Sequence, residues 1–221
     1  EAHYVGPANA RESYLNVEKI IEVARACGAD AVHPGYGFLA ENADFAEACE
    51  SAGLTFIGPS PESIRLLGDK IQARKIAMEA GVPVLPGSGE VTSVEEAMEF
   101  ANSIGYPVMV KAAAGGGGRG IRLIQNESEF AGAAARAMQE AQAAFGNPAI
   151  YVEKNLQKVR HIEVQVIGDR FGNVVPVGER ECSIQRRHQK LIEECPSIAV
   201  STTLRRSLSR AAVRIARAAN Y

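Results

Sequence analysis

No apolar run in the sequence approaches the ~18 residues needed to cross a bilayer. The opening EAHYVGP also lacks the layout of a signal peptide. Charge of one sign is not in excess: 24 Lys and Arg stand against 26 Asp and Glu, a net of −2. Neither a nucleic-acid surface nor a membrane is therefore expected as a partner, and positive charge must act locally. Cysteine is sparse. Cys27, Cys49, Cys182 and Cys195 show neither C-x-x-C spacing nor the density of a disulfide scaffold, so each is expected as a buried, reduced thiol. The expected location is cytoplasmic, or the mitochondrial matrix in a eukaryote. No internal repeat or low-complexity tract is present, and the alanine-rich stretch 131–144 is ordinary helix filler.

Two familiar nucleotide motifs are also missing. Gly115, Gly117 and Gly120 satisfy G-x-G-x-x-G formally, but that reading needs a helix directly after the glycines, and IRLI follows instead. The phosphate-loop motif fails because no Lys-Ser or Lys-Thr follows the glycines, and Lys111 precedes them.

What is there begins with enough apolar content, 46% of 221 residues, for a sizeable core in one or two domains. Residues 106–124, YPVMVKAAAGGGGRGIRLI, read as two strands joined by a glycine tip, with Lys111 and Arg119 on either side. Backbone without side chains can close on a polyphosphate while cations neutralise it. Alone, the loop is either a phosphate flap or an ordinary flexible turn.

From Ser13, a candidate N-cap, Val17, Ile20, Ile21, Ala24 and Cys27 mark a helix ending at Gly28. A short strand at Ala31 and Val32, a helix through Phe45, Ala46, Cys49 and Ala52, and the strand LTFIG follow. Helices alternating with short buried strands predict a parallel α/β layer. Pro59 to Pro83 reads as a helix pair broken at Gly68-Asp69, with Asp69 as N-cap and Gln72 at the capping-box position. Lys70 then sits on a first helical turn, where a cation opposes the helix dipole. It is either a solvated lysine or one kept for an anion bound beside it. Val82 to Glu153 reads as strand, helix, strand, glycine loop, strand, helix, strand, with Ser93–Glu96 and Asn126–Glu129 as capping boxes and Gly105 and Gly146 as stops. Beyond it, RHIEVQVIGD and NVVPVGERECSIQRRHQK predict an antiparallel sheet with Ile162, Val164 and Val166 facing inward. His161, Glu163, Gln165, Gln185 and His188 crowd that sheet with more polar groups than a structural sheet needs. A helix is expected from Thr203 to Ala219.

Four segments combine: HPGYGFLAEN at 33–42, GDK at 68–70, VMVKAAAGGGGRGIRLI at 108–124 and ERECSIQRRHQK at 179–190. Together they resemble the biotin carboxylase component of biotin-dependent carboxylases, in the ATP-grasp superfamily. The resemblance covers essentially the whole chain. The fold it implies is mixed α/β and α+β: an ATP-grasp with a preceding Rossmann-like parallel layer, incomplete in its C-terminal antiparallel sheet. Expected boundaries are a partial N-terminal domain at 1–58, linking helices at 59–82, a lid subdomain carrying the flap at 83–155, and the start of the C-terminal domain at 156–221.

The activity implied is carboxylation of carrier-bound biotin by bicarbonate, driven by ATP with Mg2+ and passing through carboxyphosphate. Phosphoryl transfer of this kind asks mainly for positioning and charge neutralisation. Residue by residue, the resemblance assigns Lys70 and Lys111 to the ATP phosphates and Gly117 and Gly118 to the flap. It assigns Glu153, Lys154, Asn155 and Leu156 to the adenine hinge, His161, Gln185 and His188 to the nucleotide, and Lys190 to bicarbonate. Arg186 and Arg187 rank lower, and HPGYGFLAEN either packs or contacts ligand. Implied partners are a biotin carboxyl carrier protein or domain, a carboxyltransferase and a second copy in a homo-oligomer. No segment matches the family's magnesium ligands or its Glu and Arg acting on bicarbonate and biotin. The chain begins at Glu1 and stops inside a helical pattern, and reads as a piece of something longer. It is thus expected not to turn over by itself. The alternatives are a nucleotide-binding module and an interaction segment without turnover.

Overall fold

The computed structural model describes residues 2–113, 121–186 and 189–221. Its contacts separate two compact units, one formed by residues 1–82 with 162–221 and the other by 83–161.

The first unit opens with a 3-10 turn, Ala10–Glu12, and helix α1, Val17–Ala26. Asn16, not Ser13, caps α1, its side chain accepting from Lys19 N–H. Ser13 is instead buried behind the 3-10 turn, its hydroxyl donating to the Asn9 carbonyl at 2.9 Å. Strand β1 (Ala31–Val32) pairs in parallel with β2 (Thr55–Phe56), and helix α2 (Ala43–Ser51) connects them. Two such strands cannot bury a face alone. Phe45, Ala46 and Cys49 of α2 pack on Ala24, Leu54, Phe56 and Ile64, with the Phe45 and Phe56 rings edge to face. This is the expected parallel layer. Helices α3 (Pro61–Gly68) and α4 (Lys70–Glu79) follow, with Asp69 between them accepting from Ile71 and Gln72 N–H.

The same unit contains the antiparallel sheet β6 (Ile162–Gly168), β7 (Val174–Arg186) and β8 (Gln189–Glu194), in that order. The long strand read from NVVPVGERECSIQRRHQK is therefore two: β7 ends at Arg186, and β8 returns to pair Gln185 with Lys190. Helix α7 (Thr202–Ala218), capped by Ser201, packs on β6 and β7. Its end meets α3 through the buried Ser63 hydroxyl, 2.9 Å from the carbonyls of both Ala219 and Asn220.

The second unit is a three-stranded sheet, β4 (Arg122–Ile124), β3 (Val108–Ala112) and β5 (Ile150–Lys154), backed by helices α5 (Val94–Ile104) and α6 (Glu127–Phe145). Val108, Val110, Ile150 and Val152 bury fully against Phe130, Ala134 and Ala137. Burying Phe130 stabilises by about 1.5–3 kcal/mol, more than the ~1 kcal/mol of the Asn126 cap. Packing, rather than capping, therefore fixes α6 to the sheet. The strand expected after Val82 is not formed. Pro83 and Pro86 have no N–H to offer a ladder, so the segment meets β5 through isolated bridges at Gly87–Glu153 and Val91–Ile150 and through the Ser88 hydroxyl, which accepts from Val152 N–H at 2.9 Å.

All four cysteines are free, but only Cys49 and Cys182 are buried; Cys27 and Cys195 are exposed, against expectation. Cys27 is the C-cap residue of α1, and Cys195 directly follows the end of β8. Among the described residues, no helix is long and apolar enough to cross a membrane.

Candidate functional site

Strand alternation places Lys111 opposite the buried Val108, Val110 and Ala112. On that face the register sets Lys111 beside Tyr151 and Met109 beside Glu153, so Lys111 and Glu153 are diagonal neighbours on adjacent strands. Their side chains form a salt bridge, both about four-fifths shielded from solvent. The ammonium also lies 5.6 Å from the Tyr151 ring centroid. Lys111 is thus a cation held on a rigid strand by one carboxylate and one aromatic ring.

The hinge continues from β5. Lys154 N–H donates to Pro86 O at 2.8 Å and Asn155 N–H to Pro107 O at 3.1 Å. The Lys154 ammonium donates to the carbonyls of Gly105 and Tyr106 at 2.9 and 3.0 Å, where α5 ends. Its side chain is committed to a helix C-terminus, as cations there are. Any ligand contact from Lys154 must therefore use its backbone. Leu156 is half exposed, and its N–H has no partner among the described residues.

Lys70 is exposed at the first position of α4 and makes no ion pair among the described residues. Asp69, one residue earlier, supplies an anion to the helix N-terminus. The dipole cost that set Lys70 apart is thereby offset without a ligand.

In the first unit, the three strands β6, β7 and β8 bring Glu163, Arg180, Lys190 and Glu193 together. Glu163 accepts from Arg180 Nε at 2.7 Å through Oε1 and from Lys190 through Oε2. Arg180 also reaches Gln165 Oε1 at 3.0 Å and Glu193 Oε2 at 3.3 Å. Burial pushes the Glu163 carboxyl up, but the bonds from Lys190 and Arg180 outweigh it, and its pKa falls below the ordinary value. The same bonds raise Lys190 and Arg180. Cys182 lies beneath this lattice, and burial holds its thiol protonated. Gln185, opposite Lys190 in register, donates to Cys182 O at 2.9 Å.

Sequence reading found Lys190 and the polar crowding but missed Arg180 as the partner Glu163 shares. Its signal was the alternation of Arg180 with Glu179 and Glu181 on β7. Arg186 is exposed. His161 is exposed and has partners of its own. Gly117, Gly118, Arg187 and His188 lie outside the described residues. In HPGYGFLAEN, Leu39 is buried while Tyr36 and Phe38 are exposed, the latter 5.1 Å from the Tyr14 ring. Packing and exposure are thus divided within one loop.

Among the described residues, the one acidic cluster with metal-ligand spacing is Glu163, Cys182 and Glu193. Its carboxylates already neutralise Arg180 and Lys190, and a thiol is a soft donor. This set does not fit Mg2+, which takes hard oxygen ligands.

Residues 69–221 match the family model of the carbamoyl-phosphate synthase L chain ATP binding domain, and residues 1–64 match that of the biotin carboxylase N-terminal domain. Over its full length the chain is 52% identical to biotin carboxylase 1 of Bacillus subtilis, covering 49% of that protein. Among solved structures, it is similar to a biotin carboxylase–βγ-ATP complex from Campylobacter jejuni: TM-score 0.87, 52% identity, 98% of this chain and 49% of that one. It is also similar to the biotin carboxylase domain of Hydrogenobacter thermophilus 2-oxoglutarate carboxylase, in complex with MgADP, ADP and bicarbonate. There the TM-score is 0.84 at 48% identity, covering 97% of this chain and 48% of that one. The chain thus spans about half the length of these relatives.

Proposed function

Since the chain belongs to the biotin carboxylase family of ATP-grasp proteins, we propose that it serves the ATP-dependent carboxylation of carrier-bound biotin by bicarbonate. In that reaction a bicarbonate oxygen attacks the γ-phosphorus of ATP and the bond to ADP breaks. Carboxyphosphate then releases carbon dioxide and phosphate. Biotin's ureido nitrogen, once deprotonated, forms the new carbon–nitrogen bond. The observation that carries this reading is the Glu163–Arg180–Lys190 lattice, a cation held beside a carboxylate on rigid strands where bicarbonate would bind.

Lys111 and Lys70 neutralise phosphate charge, and Gly117 and Gly118 close over it. Glu153 and the backbone of Lys154, Asn155 and Leu156 grip adenine; the Leu156 N–H, without a partner among the described residues, supports this. His161, Gln185 and His188 border the nucleotide. Mg2+ comes with the nucleotide phosphates, and among the described residues the one acidic cluster, Glu163, Cys182 and Glu193, does not fit it. The biotin is carried by a separate protein or domain, with a carboxyltransferase and a second copy as further partners, in the cytoplasm or mitochondrial matrix. Domain boundaries near 58, 82 and 155 accompany this reading.

The test has two parts. Titration calorimetry on the 221-residue chain should show ATP binding that Lys111→Ala weakens at least about tenfold, roughly 1.4 kcal/mol, with no bicarbonate-dependent ATP cleavage. The full-length protein carrying this sequence should cleave ATP only when bicarbonate is present. No binding at millimolar ATP, or cleavage indifferent to bicarbonate, overturns the reading.

A further inference from the structure

Two cations share one carboxylate in the sheet β6–β7–β8, and they use different oxygens: Arg180 Nε meets Glu163 Oε1 at 2.7 Å, while Lys190 meets Oε2. We propose that Arg180 is a positioning residue for bicarbonate, acting through Glu163. The proposal rests on Lys190 being the bicarbonate contact.

For bicarbonate to take the Lys190 ammonium, Glu163 must release it. With Arg180 in place, release leaves Glu163 still paired, so no shielded carboxylate is stranded. Without Arg180, every transfer of Lys190 to bicarbonate leaves an unpaired carboxylate that is three-quarters shielded, and such groups are costly. Arg180 is fixed for this task by Gln165 Oε1 at 3.0 Å. Glu193 acts in the opposite sense. It lies 3.3 Å from Arg180 Nε and 4.0 Å from Lys190 Nζ, drawing Arg180 away from Glu163 and competing with bicarbonate for Lys190.

The two residues therefore have opposite signs, which separates positioning from damage to the sheet. In the full-length protein, bicarbonate-dependent ATP cleavage is measured across bicarbonate concentrations at saturating ATP. Arg180→Gln should raise the bicarbonate KM about tenfold or more, with kcat and the ATP KM within about twofold. Arg180→Lys should restore most of the loss. Glu193→Gln should lower the bicarbonate KM by about two- to fivefold. A bicarbonate KM unmoved by Arg180→Gln, a kcat falling in step with it, or a KM raised by Glu193→Gln overturns the proposal while the function stands. Wild-type cleavage that ignores bicarbonate overturns both. Should Arg180→Gln not fold, the Glu193→Gln result decides alone.

Discussion

Glu179 is 2% exposed on β7, yet it carries a charge. Arg205 of α7 holds it through both carboxylate oxygens at 2.6–2.9 Å, and Ser197 N–H adds a weaker bond at 3.3 Å. The guanidinium keeps the carboxyl ionised down to about 2, against an ordinary 4.5. A carboxyl depressed by folding stabilises fully above its unfolded value, and that stability is lost as pH falls toward the folded one. Urea midpoints of the wild type should therefore fall between pH 4.5 and 2. Arg205→Gln should be clearly less stable at pH 7, and its deficit should shrink as pH drops through that window. A deficit independent of pH would mean that Arg205 contributes packing alone. Lys111 stands out in the sequence as a cation beside the glycines, whereas Lys190 enters only through the family resemblance. Glu179 was not legible, because which face of β7 is buried depends on α7, whose Arg205 arrives 26 residues later.

At the scale of elements, the corner between α5 and β3 turns on Gly105 and Lys154. Gly105 has φ 71° and ψ 159°, a conformation that side chains disfavour. A Cβ there would meet Lys154 Nζ at 3.8 Å, an ordinary contact, so the obstacle is conformational and not steric. Gly105→Ala should cost about 1–3 kcal/mol of stability. Lys154→Met, which removes only the cation from the helix end, should cost about 0.3–1 kcal/mol. Chemical denaturation monitored by circular dichroism ranks the two, and a larger loss for Lys154→Met would contradict this account. Most elements were readable from periodicity and punctuation: α2, α6 and α7 follow their apolar spacing, and Asp69, Ser93 and Asn126 cap as expected. The errors have local causes. Asn16 displaced Ser13 because both are good caps and only the burial of Ser13, with its hydroxyl bonded to the Asn9 carbonyl, selects between them. The β7–β8 reversal lacks a Gly or Pro signal, since Arg186 ends one strand and Gln189 begins the next.

At the scale of the molecule, a ligand that binds only the folded state raises stability by mass action, about 2.7 kcal/mol at a hundred times its Kd. Lys111 and Glu153 both lie in the compact unit of residues 83–161, so an ATP held by Lys111, as proposed, should protect that unit. Hydrogen exchange on the 221-residue chain with saturating ATP should slow along β3 and β5. The two lysines should not weigh equally. Lys70→Ala removes an exposed cation whose helix already has Asp69 as its N-terminal anion. Lys111→Ala also leaves Glu153 as an unpaired, largely shielded carboxylate facing phosphate charge, so repulsion adds to the lost attraction. Lys111→Ala should therefore remove about half or more of the protection along β3 and β5, and Lys70→Ala less. Restoring neutrality in Lys111→Ala/Glu153→Gln should recover about tenfold in affinity over Lys111→Ala alone, or roughly 1.4 kcal/mol. If the double variant binds no better than the single, Glu153 contacts adenine more than it governs charge at Lys111.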